Sequence, residues 1–187
     1  LMNIVAAEEY GLVGSLAVFI AFSSILIDSG FGRVLLNRKE LHEGDYATVF
    51  YFNVSLSIIL YLLFFISAPL LARMFHAPAI TNIVRILFIS LIFNAFGLIH
   101  QTLLTKNANF RGLTQVNTLA LLLSGVTAVV MAIAGYGVWS LVAQTLLYAF
   151  FRSLFLWSYS PWRPTARFNW KSLRSFFAFG NKLLATS

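Results

Sequence analysis

The residues best able to do chemistry in this chain are a few ionisable side chains that lie within long apolar runs. Arg85 and Arg152 are embedded in such runs, and Arg111 lies in the short connection between two of them. A charge at the centre of a bilayer costs about 2.5 to 3.5 kcal/mol on insertion scales, and charges kept there mark transport pathways by default. We therefore take Arg85, Arg111 and Arg152 as candidate substrate-lining residues. Snorkelling of the long side chain to the membrane surface is the alternative for Arg85 and Arg152.

Other polar side chains at membrane depth form a second group of candidates. Asp28 is the only acidic residue near that depth, and it either forms a salt bridge, couples transport to a cation or ends a helix at the interface. Asn94, His100 and Gln101 share one apolar run and must face protein or water. They indicate either a polar lining or hydrogen bonds between helices.

The motifs of hydrolytic, redox and metal-dependent enzymes are absent from the sequence. The chain has no cysteine, its histidines are far apart at positions 42, 76 and 100, and it contains neither His-Glu-x-x-His nor Gly-x-Ser-x-Gly. We therefore predict no catalytic residue, no metal site and no cofactor, and expect a transporter rather than an enzyme.

The composition shows which environment must surround these residues. Of 187 residues, 59% are apolar and 10% are charged, whereas an ordinary soluble domain carries roughly 25% charged residues. The 19 Phe, 4 Trp and 7 Tyr add more apolar surface than one domain of this size can enclose. The composition excludes a soluble globular protein and predicts contact with membrane lipid.

The charges are distributed unevenly along the chain. The net charge is +7, and all six acidic residues lie at or before Asp45. The remaining 142 residues carry ten lysines and arginines and no acid. In a cleft of low dielectric constant this imbalance attracts an anion and repels a cation. We expect an anionic partner in the membrane, and no nucleic acid.

The apolar runs predict an all-α, polytopic helical membrane protein. A hydrocarbon core of about 30 Å requires roughly 20 apolar residues in a helix, and five runs meet that length. The predicted spans are 12–36, which glycines interrupt, 47–71, 79–104, 113–133 and 138–159. Only four residues separate the last two spans, so these form an antiparallel hairpin.

The last part of the sequence predicts an interfacial helix and the start of another span over 168–187. Pro161 and Pro164 end the fifth span, and Asn169 is a candidate N-cap for a helix that begins at Trp170. We expect Trp170, Leu173 and Phe177 to face acyl chains. Because the chain starts with Leu1 and its last apolar segment is incomplete, we expect it to be part of a longer protein, truncated at both ends.

The basic residues predict the orientation of the spans, because they collect on the cytoplasmic side of helical membrane proteins. The connections after the first, third and fifth spans are rich in lysine and arginine, whereas the other connections are poor in them. The connections predicted to be cytoplasmic carry Arg33, Arg38 and Lys39, then Lys106 and Arg111, then Arg163, Arg167, Lys171 and Arg174.

Several stretches together are similar to those of a known family. They are EEYGLVG from Glu8, DSGFGRVLLNRKEL from Asp28, APLLARMF from Ala68, QTLLTKNANFRG from Gln101, GYGVWSLVAQ from Gly135 and WRPTARFNWKSLRSFFAFGNKLL from Trp162. In their order and in their spacing relative to the spans, they resemble the Wzx-like polysaccharide and O-antigen flippases. These belong to the multidrug/oligosaccharidyl-lipid/polysaccharide exporter superfamily.

The resemblance implies a bacterial inner-membrane protein with twelve to fourteen helices in two lobes. It implies alternating access as the mechanism and an oligosaccharide linked to undecaprenyl pyrophosphate as the substrate. Residues 1–187 would then be most of the N-terminal six-helix lobe, without its first span. Other proteins of polysaccharide assembly are the partners to be expected in addition to the lipid-linked saccharide.

Two other function classes fit the same residues. A cation-coupled multidrug exporter of the same superfamily would use acidic groups at membrane depth, and Asp28 is the only such group. A non-transporting membrane scaffold of a glycan-assembly complex would need only packed spans. Transport of cationic dyes would favour the exporter, and a deep cationic cleft would argue against the scaffold.

Overall fold

The computed structural model describes residues 7–28, 31–37, 42–74, 77–78 and 80–176. All regular secondary structure within these ranges is helical, as the sequence predicts. The helices are α1 (Ala7–Asp28), α2 (Phe31–Asn37), α3 (Glu43–Met74), α4 (Ile80–Leu87), α5 (Ile89–Lys106), α6 (Phe110–Ile133), α7 (Val138–Tyr159) and α8 (170–176).

Four helical stretches are long and apolar enough to cross a membrane. They are α3, the continuous pair α4 and α5 over Ile80–Lys106, α6 and α7. They coincide with the second to fifth predicted spans, and α7 has the predicted bounds. The prediction of an all-α, polytopic membrane protein is confirmed.

The first predicted span, 12–36, differs from the structure at both ends. Helix α1 begins earlier, at Ala7, and ends at Asp28, after which α2 starts at Phe31. Asp28 Oδ1 accepts a hydrogen bond from the backbone N–H of Gly32 at 3.1 Å, which gives a partner to one of the free N–H groups in the first turn of α2. A Cβ at position 32 would lie 2.9 Å from that oxygen, so a larger residue there would displace the Asp28 carboxylate.

Helix α2 is held against α5 at the predicted cytoplasmic side. Lys106 Nζ donates to the carbonyl of Leu35 at 3.1 Å and to the hydroxyl of Tyr46 at 3.2 Å. The carbonyl of Leu35 is one of the groups that a helix end leaves without an intrahelical partner. Lys106 thereby joins α2, α3 and α5, which lie around the candidate site.

Within the third span, the regular α-helix is interrupted at Phe88. The N–H of Leu91 donates to the carbonyl of Phe88, three residues back, and the Ser90 hydroxyl donates to the carbonyl of Leu87 at 2.6 Å. The span therefore consists of the short helix α4 and the longer helix α5.

Helices α6 and α7 form the predicted antiparallel hairpin, and small residues allow their close approach. The buried residues of α6 recur every four positions and include Ala120, Ser124, Ala128 and Ala132. In the turn, Gly137 has φ 49° and ψ −126°, a conformation that a residue with a Cβ avoids. This packing fixes the register between α6 and α7, which brings polar groups of the two helices together.

The outer faces of α3 and α6 carry large exposed apolar side chains. Ile66 is 75% exposed on α3 and Ile133 is 72% exposed on α6, and each is one of many on its helix. A monomeric soluble protein rarely leaves such continuous apolar surface in water. These exposed apolar faces are of the kind that a polytopic membrane protein presents to lipid or to further helices.

The segment after α7 packs against the helices more closely than the sequence predicts. Asn169 Oδ1 accepts from the N–H of Lys171 at 2.9 Å, which confirms the N-cap. Trp170 is exposed, but Leu173 is 3% exposed and packs against residues of α2, α3 and α5. The prediction that Leu173 faces lipid is wrong, because that face of α8 covers a protein core. Phe177 lies outside the described residues.

Candidate functional site

Arg152 of α7 is the centre of a polar cluster that three helices share. Its Nε donates to Asn117 Oδ1 of α6 at 2.9 Å, and its Nη2 donates to Gln101 Oε1 of α5 at 2.7 Å. Both of these partners are neutral amides, so neither of them cancels the charge of the guanidinium. The chain therefore holds a positive charge inside its membrane-spanning helices.

The guanidinium determines how both amide groups are oriented. It has five N–H donors and no acceptor, so each amide must turn its oxygen toward Arg152. A flipped amide would place N–H groups against N–H groups. Asn117 and Gln101 consequently direct their own amide hydrogens away from the arginine.

Gly97 allows α5 and α7 to approach closely enough for the contact between Gln101 and Arg152. A Cβ at position 97 would lie 3.0 Å from Leu156 Cδ1 and 3.5 Å from the Cα of Ser153. Gly97 is one helical turn before Gln101, and Ser153 follows Arg152 directly. The missing side chain therefore determines the distance between the helices that carry the two polar groups.

Gln101 also lines an open cavity between α2, the end of α1 and α5. The cavity has a volume of about 320 Å³, near the lower end of the roughly 300 to 1,000 Å³ typical of small-molecule sites. Its described lining residues are Asp28, Gly32, Leu36, Leu98, Gln101, Thr102 and Thr105. The polar lining residues lie on one stretch of α5 and at the end of α1. These two helices therefore supply the polar groups of the candidate site.

The polar groups of this cavity are already ordered by bonds within the protein. Thr102 Oγ1 donates to the carbonyl of Leu98 at 2.9 Å, and Thr105 Oγ1 donates to the carbonyl of Gln101 at 2.9 Å. Asp28 uses Oδ1 to cap α2. The two hydroxyls and the carboxylate can still accept further hydrogen bonds, since each oxygen has more than one lone pair.

The other two candidate arginines lie elsewhere. Arg85 of α4 places its guanidinium carbon 4.5 Å from the ring centre of Phe65, and its buried Nε has no hydrogen-bond partner among the described residues. Gln101 follows Arg85 by sixteen residues, or about 24 Å along the span. Arg111 is exposed in the first turn of α6. None of the three arginines is among the described residues that line the cavity around Gln101; that they share one passage stays a prediction.

The three polar candidates of the third span occupy different places. Gln101 lines the cavity, and Asn94 is half-buried on α5. His100 is fully buried, with its ring centre 4.6 Å from that of Trp157 and 5.5 Å from that of Trp162. Neither of its ring nitrogens has a hydrogen-bond partner in the described part of the chain. His100 thus belongs to an aromatic core and is not among the described residues that line the cavity.

Sequence analysis did not identify Asn117, Thr102, Thr105 or Gly97 as site residues. The hairpin could have revealed Asn117, because it lies about as far before the turn as Arg152 lies after it. Thr102 follows Gln101 directly, and Thr105 lies about one helical turn after it. Helical periodicity alone could therefore have placed both threonines near Gln101 on α5. Nothing in the sequence marks Gly97, since the close approach depends on how α5 and α7 pack.

Comparison with known proteins gives consistent results along the whole chain. A family model described as "Polysaccharide biosynthesis protein" matches residues 1–187. The teichuronic acid biosynthesis protein TuaB of Bacillus subtilis is 27% identical over 85% of this chain and 33% of its own length. The succinoglycan biosynthesis transport protein ExoT of Rhizobium meliloti is 26% identical over 96% of this chain and 37% of its own length.

A third relative, the lipopolysaccharide biosynthesis protein WzxC of Escherichia coli, is 27% identical over 100% of this chain and 38% of its own length. The chain thus spans about a third of the length of these relatives. No solved structure matches. The family match and these relatives confirm the resemblance found in the sequence: the chain belongs to the Wzx-like family of polysaccharide biosynthesis proteins.

Proposed function

We propose that the complete protein is a flippase that moves an oligosaccharide linked to undecaprenyl pyrophosphate across the bacterial inner membrane by alternating access. The family and the names of the relatives support a transport role in polysaccharide biosynthesis. The spans of this chain form part of one lobe, and the polyprenyl tail of the substrate stays in lipid while the head group crosses.

The observation that carries the proposal is the charge of Arg152, which two neutral amides hold in place. Carboxylate partners would have cancelled the charge, but amide partners satisfy the N–H groups and leave the charge available to an anion. The diphosphate of the lipid-linked saccharide is such an anion. Placed inside the spans, Arg152 offsets part of the cost of bringing that diphosphate out of water.

The position of the cavity fits the side on which the substrate would be loaded. Gln101 lies five residues before Lys106, the last residue of α5, which puts it about 7.5 Å from that helix end. Lys106 is on the side that the basic residues predict to be cytoplasmic. A lipid-linked saccharide assembled in the cytoplasm would therefore reach the cavity from the cytoplasmic side, to which the cavity lies closer.

Cation-coupled export remains the second candidate because Asp28 lines the same cavity. A carboxylate facing a polar cavity at membrane depth is the kind of group that could bind a proton or a metal cation. The hydrogen bond that Asp28 accepts from the N–H of Gly32 also gives it a structural role. The anionic substrate is favoured because Arg152, which donates to Gln101, carries a positive charge that would repel a cation.

The test is complementation in a strain that lacks the gene. We expect the complete wild-type protein to restore surface polysaccharide, and Arg152→Ala to restore much less of it while lipid-linked oligosaccharide accumulates in the cytoplasmic leaflet. Arg152→Lys keeps the charge and should restore an intermediate amount. Export that is unchanged in Arg152→Ala at equal protein level would contradict the role of Arg152. A wild-type protein that exports cationic dyes and no saccharide would contradict the proposed function.

A further inference from the structure

Among the described residues that line the cavity beside α5, Gln101 supplies an oriented donor group. Gln101 turns its amide oxygen toward Arg152, at 2.7 Å from Nη2. Because Gln101 also lines the cavity, its two amide hydrogens are the polar groups that it can offer there. Arg152 itself is not among the described lining residues, and it acts on the cavity through the orientation of Gln101.

The remaining polar groups of the cavity act as acceptors. Thr102 and Thr105 use their hydroxyl hydrogens inside α5 and keep their lone pairs. The Asp28 carboxylate accepts one hydrogen bond from Gly32 and has capacity for more. The cavity thus combines an amide donor with hydroxyl and carboxylate acceptors around a space of about 320 Å³.

This combination discriminates between the possible ligands. A diphosphate only accepts hydrogen bonds, so the carboxylate of Asp28 would repel it. A cation requires oxygen ligands, but Gln101 presents N–H groups and stands beside the charge of Arg152. A sugar hydroxyl both donates and accepts, so one hydroxyl can donate to Asp28 while a neighbour accepts from Gln101.

We propose that this cavity is the subsite for a sugar of the substrate, with Gln101 as donor and Asp28, Thr102 and Thr105 as acceptors. Arg152 is a positioning residue for this subsite, because it sets the direction of the Gln101 amide. The inference rests on the proposed function and deepens it: the diphosphate responds to the charge of Arg152, whereas the sugar contacts the lining of the cavity.

The experiment measures a preference rather than a single affinity. The complete protein in detergent is titrated with polyprenyl diphosphate and with the same lipid carrying glucose, galactose or N-acetylglucosamine. Binding is followed by tryptophan fluorescence, and the readout is the ratio of the two dissociation constants, without sugar over with sugar. We expect the wild type to bind at least one sugar-bearing lipid about tenfold more tightly than the sugarless lipid, which corresponds to about 1.4 kcal/mol.

Three variants test the assigned roles. Gln101→Glu still accepts from Arg152 but loses the amide donor, so we expect most of the tenfold preference to disappear. Its carboxylate also cancels part of the charge of Arg152, so both lipids should bind more weakly, and the ratio of the two constants isolates the loss of the donor. Asp28→Asn should reduce the preference in the same way. Arg152→Lys keeps the charge but lacks the planar fork that holds two amides, so it should lower the preference.

Two further variants exclude indirect effects. Gln115→Glu makes the same chemical change at an exposed position of α6, where the side chain accepts from Tyr159, and it should keep the wild-type ratio. Asn117→Asp compensates the charge of Arg152 from its other hydrogen-bond partner, on α6, and should lower the ratio less than Gln101→Glu does. If Asn117→Asp lowers it equally, charge neutralisation explains the effect and the inference is overturned.

The outcomes separate this inference from the proposed function. If the wild type binds the polyprenyl lipids but none of the attached sugars improves binding, the sugar subsite is wrong and the flippase proposal survives. A ratio that is unchanged in Gln101→Glu also overturns the subsite. If the wild type binds none of the polyprenyl diphosphates, the proposed function fails together with the subsite.

Discussion

Two arginines in the spans of this chain are held in very different ways. Arg152 donates to an amide oxygen on each of two neighbouring helices. Arg85 lies with its guanidinium carbon 4.5 Å from the ring centre of Phe65, which is 38% exposed, and its buried Nε has no partner among the described residues. The first side chain belongs to a network, whereas the second rests on one aromatic ring.

The difference shows that a charge in a span is informative only together with its partners. The face of an aromatic ring attracts a cation without orienting other groups, so Arg85 can serve as an anchor near the predicted outer surface. Arg152 instead fixes the orientation of two amides. Their oxygens turn toward its guanidinium, so their own hydrogens point away from it. Arg152 therefore orients a group that lines a cavity, whereas the contact of Arg85 with an aromatic ring orients no other group.

The largest contrast is expected from removing each arginine. Arg152→Met leaves two half-buried amide oxygens without their charged donor, and a hydrogen bond to a charged group is worth about 1.5 to 3 kcal/mol. Arg85→Met leaves an apolar side chain on Phe65 and should change the stability by less than about 1 kcal/mol. Thermal unfolding of the complete protein in detergent measures both.

A triple variant sharpens this first prediction. Replacing Arg152, Gln101 and Asn117 together by Met, Met and Leu removes the partners along with the arginine, so the loss of stability should largely disappear. Export should nevertheless stay low, because the charge and the amide donor are gone. If the triple variant is as unstable as Arg152→Met alone, unpaired amides are not the cause.

A smaller effect is expected from moving α5 away from α7. Gly97→Val places a branched side chain against Leu156 and Ser153, and overpacking of this kind costs about 1 to 3 kcal/mol. Export should fall because the contact between Gln101 and Arg152 lengthens. Gly97→Ala is the matched control, since its Cβ approaches the flexible end of Leu156 most closely and needs only a small shift. Equal export by the two variants would show that helix spacing does not matter there.

The smallest effect should follow from changing the ring beneath Arg85. Phe65→Leu removes the interaction between the cation and the aromatic face, which is worth about 0.5 to 1 kcal/mol. We expect a small decrease in the unfolding temperature and normal export. A large loss of export in this variant would show that Arg85 belongs to the transport pathway, and the contrast with Arg152 would then collapse.

The sequence predicts the spans well and the partners of the charges poorly, for physical reasons. Lipid requires about 20 apolar residues in a helix, so composition alone finds α7 with its bounds. The contact between the Asp28 carboxylate and the backbone N–H of Gly32 escapes this reasoning, because hydropathy does not encode the hydrogen bond of a single side chain. The pairing of Arg152 with Asn117 depends on the register between α6 and α7, which hydropathy does not encode.

His100 illustrates the same limit of composition. A histidine in an apolar run is expected to find water or a polar partner, but here two indole rings enclose it. Trp157 and Trp162 are distant from His100 in sequence and meet it only because α5, α7 and the following segment pack together. Residue types therefore indicated the polar groups, and the tertiary packing decided which of them face the cavity.

The most direct test of the account compares the two arginines in reconstituted transport. Complete wild-type protein, Arg152→Ala and Arg85→Ala are placed in proteoliposomes, and the initial rate of translocation of a polyprenyl-diphosphate-linked sugar is measured at equal protein content. We predict that Arg152→Ala lowers the rate by about tenfold or more, equivalent to about 1.4 kcal/mol, and that Arg85→Ala stays within about twofold of the wild type. Equal rates for the two variants, or a wild-type rate for Arg152→Ala, would contradict the central role of Arg152.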